Sequence, residues 1–122
     1  MRVSPKEYSR TDRIGDLIQR ELAHLIQQEL RDERIGMVTV SEVEVTKDLS
    51  HAKVYVTIYD LEKIVESIET LNRAAGYLRS LLAKRLTLRT VPKLVFQYDD
   101  TLDKSDRINQ LLKKVLKSDD DE

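Results

Sequence analysis

One apolar phase runs through the middle of this 122-residue chain. Ile64, Ile68, Leu71, Ala75, Leu78 and Leu82 are separated by alternating steps of four and three residues. The rhythm crosses Ala74, Ala75 and Gly76 without slipping, and an intervening loop would have broken it. The spacing therefore predicts two helical halves that share one buried face and meet at a kink at Ala74, Ala75 and Gly76. Glycine costs a straight helix about 1 kcal/mol relative to alanine, and small residues let a backbone bend or be approached closely. The second half is expected to run to about Leu88, before Val91-Pro92 halts any helix.

The flanks of this helix pair read as strands. Val38 and Val40, then Val43 and Val45, alternate with a phase shift around Ser41-Glu42, which predicts a bulge or a late strand start. Lys47-Asp-Leu-Ser50 is turn-like. Ala52, Val54, Val56 and Ile58 alternate against polar or aromatic neighbours, so the two runs should form a hairpin. Leu94, Phe96 and Tyr98 predict a third strand. Roughly 33 residues separate it from the second, ample for a crossover to a parallel neighbour.

At the front, Ile14, Leu17, Ile18, Leu22, Leu25 and Ile26 predict a helix to about Leu30, capped by Ser9 or Thr11 and closed by Arg34-Ile-Gly36. At the back, Asp99 or Asp100 can cap a last helix carrying Ile108, Leu111, Leu112, Val115 and Leu116. The expected organisation is a flexible segment over 1–10, one domain over 11–100, a helix over 101–117 and an acidic tail over 118–122.

Composition narrows the function. Charged residues make up 35% of the chain and cysteines are absent, which removes disulfide, thiol and cysteine–metal chemistry and suits a reducing cytoplasm. The N-terminus has no apolar signal core, and no run is long enough to span a membrane. His24 and His51 sit in no nucleophile or metal motif and are expected to face solvent. Asp99, Asp100, Asp103 and Asp106 lack the glycine and closing glutamate of a calcium loop, so capping is their expected role. Neither a phosphate loop nor a catalytic set is present, and no catalytic residue, metal or cofactor is expected.

The charge distribution is more informative. Lys and Arg number 21 against 22 Asp and Glu, yet residues 71–98 hold six bases and no acid. Arg73, Arg79, Lys84, Arg89 and Lys93 are the candidate phosphate contacts of this stretch, with a fresh helix N-terminus at Gly76 beside them. Arg85 falls near Leu78 and Leu81 on the helical wheel and is expected to lie along apolar surface. A second stripe, Arg13, Arg20, His24, Gln27 and Arg31, lies on the polar side of the first helix, with Arg10 at its start. Structural pairing with Glu66, Glu69 or the acidic tail is the competing explanation. Tyr8, Tyr55, Tyr59 and Tyr77 can stack on bases, but core packing is the expected role for most.

Three segments carry a resemblance: Asp32-Glu-Arg-Ile-Gly36, Asp48-Leu-Ser-His-Ala-Lys-Val-Tyr-Val56 and Leu86-Thr-Leu-Arg-Thr-Val-Pro-Lys-Leu94. Over about residues 5–117 the sequence resembles the ribosome-binding factor A family. The resemblance implies an α+β, single-domain, type II KH-like fold in the order α-β-β-α-kink-α-β with a three-stranded sheet. That family replaces the Gly-x-x-Gly loop of standard KH domains with an Ala-x-Gly kink, which Ala74, Ala75 and Gly76 match. It further implies a non-catalytic, monomeric, cytoplasmic factor that binds free 30S subunits. Such a factor assists late maturation of 16S rRNA, matters most in the cold, and has no small-molecule substrate or membrane partner. A protein–protein adaptor docking on a ribosomal protein is the rival from another class. A small hydrolase using Asp99 and Asp103 is the third.

Overall fold

The computed structural model describes residues 9–30, 35 and 37–101. The elements run α1 (Arg10–Glu29), β1 (Val38–Val45), β2 (His51–Ile58), a 3-10 turn (Leu61–Lys63), α2 (Ile64–Arg73), α3 (Ala75–Arg85) and β3 (Lys93–Tyr98). Arg34, Gly36 and the expected helix over 101–117, apart from Thr101, lie outside the described residues.

α1 begins where its chemistry says it should. The Ser9 hydroxyl accepts from the Asp12 N–H, and the Asp12 carboxylate accepts from the Ser9 N–H at 2.9 Å, so each satisfies an end group the helix cannot. The helix ends at Leu30, whose N–H still bonds the Ile26 carbonyl. Ile14, Ile18, Leu22, Leu25 and Ile26 are buried.

The sheet order is β1-β2-β3, with β1 antiparallel and β3 parallel to β2. Ser41 is the bulged residue: Val40 pairs with Val56 and Glu42 with Tyr55. The extra residue resets the alternation, so that Val40 and Val43 both point into the core. This accounts for the phase shift in the sequence. α1 packs on β1, α2 and α3 pack on β3, and α1 also meets α3. Ala52, Val54, Val56, Ile58, Leu94 and Phe96 supply the sheet's half of one continuous core.

One expectation needs correction. α3 stops at Arg85 rather than near Leu88: Leu86 turns to extended backbone and its side chain is buried. Burial of Leu86 under the following segment outweighs a helical turn through β-branched Thr87. Val65, apolar but absent from the phase shared across the kink, is 70% exposed. It sits next to the phase-keeping positions Ile64 and Ile68 rather than on their arc.

The contact of α1 with β1 is closer than side chains would permit. A Cβ on Gly15 would lie 2.7 Å from the Val43 carbonyl oxygen. Nearby, the Gln19 side-chain amide donates to the Val40 and Ser41 carbonyls at the bulge. Gly15→Ala should therefore destabilise the fold by about 1–3 kcal/mol despite alanine's better helix propensity, because α1 must lift from the strand. Denaturant titration checks this; an unchanged or raised midpoint would contradict the geometry.

The hairpin turn is held by Asp48. Its Oδ1 accepts from the Thr46 hydroxyl, the Ser50 hydroxyl and the Ser50 N–H at 2.7, 2.7 and 3.1 Å. These bonds favour the carboxylate and lower its pKa to about 2. A lowered folded pKa gives stability that is present above the unfolded value near 3.8 and lost as pH falls toward 2. The melting-temperature gap between wild type and Asp48→Ala should thus be widest above pH 5 and narrow as pH falls from 4 toward 2. Melts across that range test the sign.

Candidate nucleic-acid interface

The kink is built from both sides. α2 ends at Arg73, Ala74 is the hinge residue, and α3 starts at Ala75. The Ala74 N–H bonds the Thr70 carbonyl and the Ala74 carbonyl accepts from Leu78, so helical bonding continues on each flank. Leu71, Leu78 and Leu82 are fully buried, which fulfils the shared-face expectation. The bend itself falls at Ala74, two residues before Gly76. Gly76 lies inside the first turn of α3, has no positive φ, and would meet nothing within 4 Å if it carried a Cβ. The fold therefore does not need glycine there.

Two side chains fix the orientation of the kink, and neither was legible as such in the sequence. Asn72, at the end of α2, donates to the Phe96 carbonyl at 3.1 Å and accepts from the Phe96 N–H at 2.8 Å. It substitutes for a neighbouring strand along the free edge of β3. Arg79, on α3, donates through Nε to the Val91 carbonyl at 2.9 Å. That bond ties α3 to the segment leading into β3. Arg79 is thus an anchor as well as a charge.

Segment 86–92 divides two clefts. One, of about 460 Å³, runs along α3 and includes Gly76, Arg79, Ser80 and Arg89. The other, of about 410 Å³, lies against the start of α1 and the hairpin turn and includes Arg10, Asp48 and Arg89. Leu88, Arg89 and Thr90 line both. The tertiary fold therefore brings Arg10, Arg79 and Arg89 to one continuous region.

The other predicted bases line neither cleft. Arg73 and Lys84 are exposed in the last turns of α2 and α3, where they also complement the helix C-termini. Lys93 is exposed at the start of β3. Arg13 and Arg20 are exposed on α1, and Arg20 lines a separate hollow with Asp16, Gln19, Ala23 and Val40. Arg31 lies outside the described residues. Arg85 is the exception among the six bases of 71–98: it pairs with Glu21 of α1 at 3.0 Å, a rivet between helices. Among the described residues, Arg73, Lys84, Arg89 and Lys93 pair with no carboxylate, so pairing with Glu66 or Glu69 does not account for them.

The tyrosines divide differently from expectation. Tyr59 and Tyr77 are 57% and 52% exposed, so core packing is not their role. Tyr77 donates to Glu29 at 3.1 Å. Tyr55 is half-buried on the sheet face away from the helices, and burial with Glu44 and Glu42 beside it pushes its phenol above the usual range. An acidic neighbourhood of that kind repels phosphate, which leaves the helix-and-loop side as the electrostatically suitable surface. Tyr8 lies outside the described residues. Asp99 accepts from Ser41 at 2.6 Å and from the Thr101 hydroxyl and N–H, bonds that hold its carboxyl below the usual range. His24 and His51 are exposed.

An α-β-β-α-α-β chain with one antiparallel and one parallel strand pair, and a kinked helix pair as the crossover, is a single-domain type II KH-like fold. The family model described as ribosome-binding factor A matches residues 10–112. A ribosome-binding factor A of Thioalkalivibrio sulfidiphilus is 53% identical over 116 residues, covering 94% of this chain and 90% of the relative. The crystal structure of ribosome-binding factor A from Thermus thermophilus superposes with a TM-score of 0.66 at 32% identity, covering 74% of this chain and 97% of that one. A Thermus thermophilus ribosome-binding factor A homology model, fitted into a cryo-EM map of a 30S complex, gives 0.60 at 34% identity, covering 70% and 90%. The chain belongs to the ribosome-binding factor A family.

The status of Gly76 gives a clean test. Gly76→Ala should keep or raise stability by about 0.5 kcal/mol, since the site is helical and open. It should also weaken binding to 30S subunits several-fold, because a methyl group is added to the wall of the α3 cleft. Equal affinity in a co-sedimentation titration would remove Gly76 from the interface.

Proposed function

We propose that this chain is a non-catalytic assembly factor that binds the free 30S subunit through its 16S rRNA and favours that RNA's mature form. The observation that carries the reading is the set of exposed bases in α2, α3 and the segment leading into β3 that pair with no carboxylate among the described residues. Arg73, Lys84, Arg89 and Lys93 have no carboxylate partner among the described residues, and Arg10, Arg79 and Arg89 converge on the two clefts. The fit of a Thermus relative into a 30S complex supplies the target.

The mechanism needs no reaction. Phosphate contacts supply affinity and orientation, and a surface that fits one RNA conformer better shifts the population by that difference in binding free energy. Escape of RNA from a wrong conformer slows on cooling, so the contribution is greatest in the cold. The factor acts in the cytoplasm as a monomer, without cofactor or small-molecule substrate. Arg13, Arg20 and Arg31 are assigned to a second segment of the same RNA. A grip on four single-stranded nucleotides of the standard KH kind is not part of this reading, since the loop that makes it is replaced by the kink at Ala74.

Salt dependence tests the proposal. Each phosphate contact on single-stranded RNA contributes about 0.7 to the slope of log K against log salt. Changing Arg73, Lys84 and Arg89 together to Gln should lower the slope by roughly 2 and weaken binding to many RNAs alike. The melting temperature should barely move, because exposed substitutions change stability by about 0.5 kcal/mol or less each. Arg79 is left out of the set because its bond to Val91 is structural. A wild-type slope in the variant would sink the assignment. Retention on 30S particles after ribonuclease treatment would point instead to docking on a ribosomal protein.

A further inference from the structure

The cleft between α1, the hairpin turn and segment 86–92 differs in kind from a phosphate groove. Ile14, Leu49, Leu88 and Pro92 give it apolar walls, and Arg10 and Arg89 give it two cations. Asp48 also lines it, and a lone phosphate would be repelled by that carboxylate. The combination suits a ligand with an anionic part, a flat apolar part and hydrogen-bond donors.

The hairpin turn presents these groups under tension. Leu49 has φ of 61°, in the left-handed region, and is held there by its N–H bond to the Thr46 carbonyl and by the bonds around Asp48. A leucine in that conformation costs free energy and persists because its surroundings enforce it. The bend carries the Leu49 side chain to the wall of the cleft. The three hydrogen bonds from Thr46 and Ser50 all end on Oδ1, which locks the carboxylate plane and leaves Oδ2 clear of those partners.

From this geometry we infer that the cleft takes one unstacked guanosine of the bound RNA, its base against Leu49 and its Watson–Crick edge on Asp48 Oδ2. Arg10 and Arg89 hold the flanking phosphates. Guanine is the base with two adjacent donors, N1–H and the 2-amino group, and no acceptor between them. Adenine and cytosine place an acceptor beside their amine, and uracil flanks its one N–H with carbonyls, so each sets a lone pair against the carboxylate. A volume of about 410 Å³ lies in the range of small-ligand clefts and admits one nucleotide. The inference rests on the RNA-binding reading above and adds to it a single point of base recognition.

The test uses the full chain and five-nucleotide uridine RNAs whose central position is guanosine, inosine, adenosine, cytidine or uridine. Affinity is read by fluorescence anisotropy at two salt concentrations. The guanosine RNA should bind about tenfold more tightly than the adenosine, cytidine and uridine RNAs, with inosine, which lacks the 2-amino group, in between. Asp48→Asn should fold normally, because its side-chain oxygen can accept the same three bonds, and should abolish the preference, because its amide donates where Oδ2 accepted. Methyl resonances of Leu49 and Ile14 should shift with the guanosine RNA as a ring settles on them. Equal binding of all five RNAs with an intact salt slope would overturn the inference and leave the phosphate reading standing. A guanosine preference that survives in Asp48→Asn, or unshifted methyls, would also overturn it. Binding to none of the RNAs at either salt concentration would end both readings. The wild-type base series decides the matter even if the variant fails to fold.

Discussion

The burial of one continuous apolar face against β3 governs the rest of this structure. Leu71 on α2 and Leu78 and Leu82 on α3 are all fully buried, although a hinge separates them. Each such leucine contributes about 1.5–3 kcal/mol, so the three together outweigh the loss of a helical hydrogen bond. The helix pair can therefore bend at Ala74 without losing its seat. Once seated, it forms the crossover that sets β3 parallel to β2 and carries segment 86–92 to the far end of the sheet.

Polar anchors then convert that packing into a surface. Asn72 holds α2 to the Phe96 backbone and Arg79 holds α3 to Val91, so both arms of the kink are registered on the same strand or its approach. Arg85 joins α3 to Glu21 on α1. With these in place, Arg73, Lys84, Arg89 and Lys93 are left exposed, and Arg89 lines both clefts. Interior ties and exterior charges come from the same short stretch of sequence, and the fold sorts one from the other.

The sorting explains where reading the sequence went astray. Arg79 and Arg89 look equivalent on paper, but one of them donates to a carbonyl that only the folded loop presents. Tyr59 and Tyr77 resemble core aromatics in composition and are exposed in fact. The kink, by contrast, falls at Ala74, inside the Ala74, Ala75 and Gly76 stretch that the apolar phase marks, with Gly76 in the first turn of α3. Gly15 attracted no notice, since an isolated glycine in a helix has no local signature of the strand that will approach it.

By itself the sequence determined the order of the elements among the described residues, the shared face across the kink, the phase shift in β1 and the concentration of positive charge in 71–98. Each of these is a matter of periodicity or count along the chain, and short-range physics decides it. The tertiary structure alone decided which bases are anchors, that α1 lies within a Cβ of β1, and that Arg10, Asp48 and Arg89 share a cleft. Those three side chains come from separate elements far apart in the chain, and no local pattern records a distance that only the packing of α1, the hairpin turn and segment 86–92 sets.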